Sequence, residues 1–267
     1  MRHKPVIFIP ARFASTRFPG KPLVMLKGAN GQAKSLLQRS WEAAKAVVGV
    51  DGVFILTEDE RIRAAADEFG ATTLMTSDAC RNGTERCAEA LAQLDTPPDV
   101  VVNLQGDAPL TPSRYVEALI NAMSEADAPQ VATPALKTTG AHLNLLKKDR
   151  REGRVGGTTA VFDQSGHALY FSKEVIPYTS DYGDEDETPV FHHVGVYAYT
   201  PDALKRYMQS DPGPLETLEG LEQLRFLENG VPVRCIRVDG KTNSFWEVNN
   251  PCDVEMVEAI LQREGIA

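Results

Sequence analysis

Residues 6–22 read V-I-F-I-P-A-R-F-A-S-T-R-F-P-G-K-P and place a short apolar run directly before a basic, proline-containing loop. The run from Val6 to Ile9 predicts a buried first β-strand. In open α/β sheets, ligands bind beyond the carboxyl ends of the strands. The sequence therefore predicts a rigid strand that ends where a ligand site begins.

The loop at residues 10–22 combines permanent cations with small residues and prolines. An arginine guanidinium can bind two phosphate oxygens at once, and a lysine is a mobile point charge. Gly20 allows the backbone to approach a ligand closely, while Pro19 and Pro22 restrict the loop. This composition suits a polyphosphate, with a solvated basic loop as the alternative, because the spacing is neither Walker A nor a dinucleotide fingerprint. The candidate residues for binding the polyphosphate are Arg12, Ser15, Arg17 and Lys21.

Strand and helix patterns alternate through the first half of the chain, which is typical of an α/β fold with a mostly parallel central sheet flanked by helices. The patterns predict further strands at residues 53–56, 72–75, 100–104 and 131–136, and helices at 35–48, 62–69, 83–94 and 112–126. On this order the opening loop, the segment after Leu56 and the turn Gln105-Gly106-Asp107 face one crevice.

The second half has a different pattern, which predicts a smaller β-rich region at about residues 155–200 within a single domain of residues 1–267. The acidic run at 181–187 is typical of a solvated loop, with a functional lid as the less favoured alternative. The patterns predict a hairpin from 158–162 and 168–171, a strand at 193–199, a helix at 215–228, a strand at 231–238 and a last helix at 251–264.

Composition excludes several classes of function. The net charge of −9 argues against bulk nucleic-acid binding, which needs a basic surface. No stretch approaches the roughly 20 apolar residues that span a bilayer, and no early run resembles a signal peptide. The four cysteines have neither disulfide-framework nor zinc spacing, so we expect reduced thiols in a cytoplasmic protein without membrane partners.

Several segments together resemble the CMP-Kdo synthetases, the 3-deoxy-manno-octulosonate cytidylyltransferases. The opening loop is the longest of these segments, and the others follow in order over nearly the whole chain. They are L-T-E-D-E-R-I at 56–62, M-T-S at 75–77, N-G-T-E-R-C-A-E at 82–89, V-V-N-L-Q-G-D at 101–107, A-L-Y-F-S-K at 168–173, H-V-G-V-Y-A-Y at 193–199 and P-L-E-T-L-E-G-L-E-Q-L-R at 214–225.

The resemblance implies a nucleotide-diphospho-sugar transferase-like fold and an Mg²⁺-dependent enzyme of lipopolysaccharide biosynthesis. Such an enzyme transfers CMP from CTP to the anomeric hydroxyl of a 3-deoxy-2-ulosonic acid, Kdo, and releases pyrophosphate. It also implies a homodimer whose β-rich region contributes to the sugar pocket and the interface. Three alternatives remain: a cytidylyltransferase for another acidic sugar such as a nonulosonic acid, a catalytically silent nucleotide-binding paralogue, and a generic nucleotidyltransferase acting on sugar phosphates.

The resemblance also implies a metal site. The metal-binding aspartate of the family falls on Asp107, where a turn aspartate would be the structural interpretation. The second one falls on Asn249, which brings an amide oxygen without charge, and Glu247 is a possible substitute ligand. Asn250 followed by Pro251 would otherwise suit a helix start.

The remaining matches concern the two substrates. Residues 173 and 192 are commonly arginines in the family, whereas this chain has Lys173 and His192, and Ala108 replaces a usual glutamate. Glu216, Glu219 and Gln223 share a face of the predicted helix, which suits a hydroxyl-binding wall or a wet surface. The resemblance assigns catalysis to Arg17, Lys21 and Asp107, further nucleotide contacts to Gly83, Thr84, Arg86 and Gln105, and sugar contacts to Lys173, His192, His193, Tyr197, Glu222 and Gln223.

Overall fold

The computed structural model describes residues 4–14, 18–155, 157–240 and 246–267, and Ser15 and Arg17 lie outside these ranges. The described strands are β1 (Pro5–Pro10), β2 (Met25–Lys27), β3 (Ala33–Ser35), β4 (Gly52–Thr57), β5 (Thr72–Met75), β6 (Val100–Leu104), β7 (Val131–Thr139), β8 (Thr158–Phe162), β9 (Ala168–Ser172), β10 (Glu187–His193), β11 (Val196–Tyr199) and β12 (Val233–Val238). The described helices are α1 (Leu36–Lys45), α2 (Glu60–Glu68), α3 (Gly83–Leu91), α4 (Ser113–Ala122), α5 (Gly140–Arg151), α6 (Pro201–Met208), α7 (Pro214–Glu219), α8 (Leu224–Glu228) and α9 (Asp253–Glu264), and Lys21–Leu23 forms a single 3-10 turn.

Ten of the described strands form one sheet in the order β5-β4-β1-β6-β11-β7-β10-β8-β9, with β12 paired to β7. Strands β4, β5 and β6 run parallel to β1 or to one another, which confirms the α/β class and brings their carboxyl ends to one edge. β11 is antiparallel to β6, and its Tyr197 lies opposite Asn103. The last residues of β6 and the first of β11 therefore lie side by side.

Both faces of this sheet are buried, because helices cover each of them. In β1, Ile7 and Ile9 belong to one apolar cluster, and Val6 and Phe8 belong to the cluster on the opposite face. A strand buried on both faces is a nearly continuous apolar run, as the sequence has it. A third apolar cluster joins β2 and the start of α1 to α9.

The local patterns located most elements within a few residues. Ser35 caps α1 by accepting a hydrogen bond from the backbone N–H of Gln38, and Asn82 caps α3 in the same way from Glu85. The predicted helix at 215–228 is wrong as a single element, because Gly220 takes a left-handed φ of 60° and separates α7 from α8. The predicted strand at 193–199 is interrupted at residues 194–195 between β10 and β11.

The β2–β3 hairpin, α5, α6 and β10 before its last residue were not predicted. Strands β8, β9 and β10 extend the main sheet at one end. The acidic run at 181–187 packs on the start of α5, where Gly140 donates its N–H to the Asp186 carbonyl. Among the described helices, none has the length and apolar character needed to cross a membrane.

Candidate active site

A cavity of about 700 Å³ opens beyond the carboxyl ends of β1 and β6 and the start of β11. It gathers most of the predicted site residues, although the segment after Leu56 contacts the opening loop without lining the cavity. Gly195, Arg81 and Arg225 also line it, and sequence reasoning missed these three. The predicted residues that line the cavity are Arg12, Lys21, Gly83, Arg86, Gln105, Asp107, Lys173, His192, His193, Tyr197, Glu222, Gln223 and Asn249.

The turn after β6 is held against the end of β1 and positions Asp107. Gly106 donates its N–H to the Pro10 carbonyl at 3.3 Å, and its own carbonyl accepts from the Ser40 hydroxyl at 3.0 Å. A Cβ at position 106 would lie 2.9 Å from the Pro10 carbonyl oxygen, so this close approach requires glycine.

An ion pair joins the opening loop to this turn. The Lys21 Nζ lies 2.6 Å from the Asp107 Oδ2, and the two side chains are only 15% and 22% exposed. Lys21 begins the 3-10 turn that follows Gly20, which adopts a φ of 70° and donates its N–H to the Phe13 carbonyl. The loop geometry thus points the lysine towards the carboxylate.

The C-terminal segment brings two more oxygen-bearing side chains to the same place. Val248 donates its N–H to the Asp107 carbonyl at 2.9 Å, which aligns Glu247 and Asn249 beside it. Burial and the Asp107 charge raise the pKa of Glu247 to about 7. The Asn249 amide nitrogen lies 3.5 Å from the Glu247 Oε2, leaving the amide oxygen available.

This donor set fits a hard divalent cation. The described residues contain no group of three or more His, Cys, Asp and Glu side chains arranged to hold a metal. Two carboxylates and one amide oxygen are nevertheless sufficient for Mg²⁺, which keeps several waters and uses one or two protein carboxylates. Burial is the main cause of the raised pKa of Glu247, so a cation beside this carboxyl group would favour its charged form.

The expected helix start at Asn250 is wrong. α9 begins at Asp253, whose Oδ2 accepts hydrogen bonds from the backbone N–H groups of Asn249 and Asn250. Asn250 therefore donates to an aspartate inside the helix instead of accepting as a cap. This arrangement fixes the backbone on which Asn249 lies.

The start of α3 forms another wall of the cavity. Gly83 lines it, whereas Thr84 is buried below and hydrogen-bonds the Tyr199 hydroxyl at 2.8 Å. The Arg86 guanidinium is ion-paired with Glu58 at 2.8 Å, and Glu58 also accepts from the Phe13 N–H. Arg86 thus connects α3 to the opening loop.

Glu222 connects this wall to the turn after β6. It accepts from the Thr84 N–H at 2.8 Å and from the Gln105 Nε2 at 2.9 Å. Burial raises the pKa of Glu222. One N–H of the Gln105 amide donates to Glu222, which leaves its second N–H and its amide oxygen for a ligand.

Two neutral histidines lie at the other end of the cavity. His193 shares a hydrogen bond of 2.9 Å with the Thr133 hydroxyl, and burial lowers its pKa to about 3. His192 packs edge-to-face on His142 with 5.0 Å between ring centroids, and burial lowers its pKa well below the ordinary value. The neutral form of His192 therefore predominates at neutral pH.

Tyr197 and Gln223 form a polar pair near the histidines. The Tyr197 hydroxyl donates to the Gln223 Oε1 at 3.0 Å. The Gln223 Nε2 is buried without a hydrogen-bond partner among the described residues, although the side chain borders the cavity. An unpartnered buried amide is costly, so this group is a donor available to a bound ligand.

The expected wall of Glu216, Glu219 and Gln223 does not form, because the helix breaks at Gly220. Glu216 binds the guanidinium of Arg225 at 2.6 and 2.7 Å. Glu219 accepts from the Ser172 hydroxyl and from the Lys173 N–H. These carboxylates therefore hold the walls of the cavity together.

Comparisons with known proteins find cytidylyltransferases over most of the chain. The sequence profile described as cytidylyltransferase matches residues 6–236. A protein of Maricaulis maris named 3-deoxy-manno-octulosonate cytidylyltransferase is 40% identical over 257 residues, which are 96% of each chain. A protein of Arabidopsis thaliana, named as the mitochondrial form of that enzyme, is 39% identical over all of this chain and 86% of its own.

A solved structure is also similar to this chain over nearly its whole length. It is described as CMP:2-keto-3-deoxy-manno-octonic acid synthetase complexed with CTP, and it superimposes with a TM-score of 0.81 at 33% identity. The match covers 98% of this chain and 99% of that one. The similarity therefore extends over the sheet, the cavity and the C-terminal segment together.

Proposed function

The chain belongs to the cytidylyltransferase family that includes the 3-deoxy-manno-octulosonate cytidylyltransferases, and we propose that it transfers CMP from CTP to Kdo. The observation that carries the proposal is the convergence of Lys21, Asp107, Glu247 and Asn249 at one side of the cavity. A basic loop beside clustered oxygen ligands suits a nucleoside triphosphate and its cation.

In the proposed reaction the anomeric oxygen of Kdo forms a bond to the α-phosphorus of CTP, and the bond to the β-phosphate oxygen breaks. The hydroxyl proton passes to solvent, and pyrophosphate leaves. Arg12 and Lys21 hold the triphosphate, together with Arg17 and Ser15 of the same loop. Their charge stabilises the negative charge that develops on the attacked and leaving phosphates.

Asp107, Glu247 and Asn249 would hold Mg²⁺. When bound, this cation neutralises phosphate charge and lowers the pKa of the attacking hydroxyl. The amide of Asn249 brings no charge, so Asp107 and Glu247 supply the electrostatic attraction. Asn249 would thus be a neutral ligand of the cation, and Glu247 the charged ligand beside it.

We assign the base to the wall at Gly83, whose backbone approaches the cavity without a side chain, with Thr84 and Arg86 shaping that wall from behind. We assign the sugar to the opposite end, where Lys173 has no ion pair with any described residue and can meet the carboxylate. The Gln223 Nε2 and the Tyr197 hydroxyl face sugar hydroxyls there.

A second candidate substrate is another acidic sugar of the nonulosonate type. Lys173 is a single cation without the arginine fork, and the neighbouring His192 is neutral. A pocket with one point charge discriminates less between carboxylated sugars than a bidentate one. A catalytically silent nucleotide-binding paralogue is the third candidate, which rests on Asn249.

The proposal includes a homodimer and a cytoplasmic location. β9 is an edge strand of the sheet and carries Leu169 with 65% of its surface exposed, which supports a homodimer formed through this end. All four cysteines are free, which supports a reducing compartment such as the cytoplasm. Size-exclusion chromatography with light scattering tests the dimer, and Leu169→Glu should give monomers.

The experiment that tests the reaction is pyrophosphate release from CTP and Mg²⁺, with Kdo, with N-acetylneuraminate and without a sugar. Release that depends on Kdo alone supports the proposal. Release with N-acetylneuraminate alone selects the second candidate. CTP binding by calorimetry without turnover on either sugar selects the silent paralogue.

A further inference from the structure

We propose that Lys21 is an internal counter-cation that occupies the metal position of the cavity until CTP arrives. The triphosphate then draws the ammonium away from Asp107 and opens that carboxylate to the divalent cation. Metal and nucleotide consequently bind in a coupled manner, nucleotide favouring metal. The inference rests on the proposed function, because it assumes that the loop binds a triphosphate.

The position of Lys21 supports the first step. Its Nζ contacts the Asp107 Oδ2 at 2.6 Å, which is a direct charge-assisted hydrogen bond. The backbone at Asp107 is held by the Val248 N–H on its carbonyl and by the Gly106 N–H on the Pro10 carbonyl, which anchors this side chain at the edge of the cavity. A cation reaching this oxygen must displace the ammonium.

The surrounding charges support the second step. The Val248 N–H on the Asp107 carbonyl brings Glu247 beside Asp107, and both carboxyl groups line the cavity together with Lys21. One ammonium against two carboxylates leaves the cluster short of positive charge, which keeps it able to accept a cation. A triphosphate offers the flexible lysine more negative charge than Asp107 does, so the lysine can transfer between the two partners.

The coupling has a thermodynamic consequence. If the nucleotide strengthens metal binding by releasing Asp107, the metal strengthens nucleotide binding by the same factor. In the absence of nucleotide the lysine competes with the metal, and the site stays weak. The Lys21–Asp107 ion pair would thus keep a metal ion from occupying the site before the nucleotide binds.

The test measures Mn²⁺ binding without nucleotide, from the paramagnetic resonance signal of free Mn²⁺. We expect Lys21→Gln to bind Mn²⁺ at least about tenfold more tightly than the wild type, because the competing ammonium in contact with Asp107 is gone. Lys21→Arg should stay weak, since it keeps a cation there. Far-ultraviolet circular dichroism confirms that each variant is folded.

Removing any cation from the cavity strengthens metal binding somewhat through space, so Arg12→Gln is the matched control. Arg12 lines the same cavity and has no ion pair with a described residue. We expect its effect to be about twofold or less, because it is exposed and screened. Equal effects of Lys21→Gln and Arg12→Gln, or nucleotide-free Mn²⁺ binding by the wild type as tight as by Lys21→Gln, would overturn the proposal.

The result of the Mn²⁺ binding measurement can be distinguished from the result of the pyrophosphate-release test of the proposed function. Pyrophosphate release by the wild type depends on CTP and Kdo, whereas the Mn²⁺ measurement needs neither. Turnover by the wild type with no gain of affinity in Lys21→Gln would remove the counter-cation role alone. A gain in Lys21→Gln without turnover on any sugar would support the role and remove the reaction.

Discussion

Replacing Arg225 by methionine should destabilise the protein strongly. Its side chain is 1% exposed and binds Glu216 at 2.6 and 2.7 Å and Glu85 at 3.0 Å. The guanidinium also lies 4.0 Å from the centre of the Tyr207 ring. Removing it leaves the Glu216 carboxylate in a buried position without its cation, whereas Glu85 keeps its pair with Arg81.

Breaking a buried ion pair by removing one partner costs about 3–5 kcal/mol, whereas replacing both partners by apolar groups is often neutral. We therefore expect Arg225→Met to lose about 3–5 kcal/mol of unfolding free energy and the double variant Arg225→Met/Glu216→Met to recover most of it. Arg206→Met, which changes an exposed arginine on α6, is the control and should lose less than about 0.5 kcal/mol.

Guanidinium unfolding, followed by tryptophan fluorescence and circular dichroism together, gives these free energies if both probes report one transition. A loss below about 1 kcal/mol for Arg225→Met would refute the reasoning, because a fully buried pair then contributes no more than an exposed one. Additive losses in the double variant would refute it equally, since they would show that Glu216 does not depend on Arg225.

Three further predictions follow from single contacts. Because its folded-state pKa is depressed to about 3, His193 contributes stability above the unfolded pKa that is lost as pH falls below about 6.5; we expect about 2 kcal/mol lost by pH 5. His193→Gln can keep the hydrogen bond to Thr133. Its free energy of unfolding should therefore fall less than that of the wild type between a pH above 6.5 and pH 5; an unchanged loss would contradict the assignment. Gly140→Ala should destabilise by about 2 kcal/mol or more, because its Cβ would overlap the Gly183 carbonyl. Thermal unfolding of Gly153→Ala, where φ is 74° and the new Cβ meets nothing, measures the cost of backbone strain alone; a loss in Gly140→Ala no larger than that would contradict the clash. Lys173→Met should raise the KM for Kdo at least about tenfold while the KM for CTP stays within about twofold, and Lys173→Arg should restore it; equal changes in both KM values would place Lys173 outside the sugar site.

The sequence predicted best those features that depend on neighbouring residues. The buried strand β6 was located at residues 100–104, and the predicted helices at 35–48 and 83–94 begin within one residue of α1 and α3. The convergence of the opening loop with the turn at Asp107 followed from strand order, since parallel strands place their carboxyl ends together. The roles proposed for individual residues in binding the nucleotide, the sugar and the metal came from the resemblance.

Features that depend on distant residues could not be predicted in the same way. Arg225 meets Glu85 across 140 positions of the chain, and Lys21 meets Asp107 across 86, so no spacing rule connects them. The break at Gly220 was missed because an isolated glycine in a helical pattern is often tolerated. The low pKa of His192 arises from burial, which the composition of its strand does not reveal.

The measurement that tests the central claim most directly is the phosphorus NMR spectrum of CTP incubated with the protein, Mg²⁺ and Kdo. We predict that the three CTP signals are replaced by one phosphodiester signal from a CMP-sugar and one pyrophosphate signal, only when Kdo is present, and that Asp107→Asn abolishes the change. Signals of CDP and inorganic phosphate, or an unchanged CTP spectrum in the presence of Kdo, would contradict the assignment of this cavity to CMP transfer.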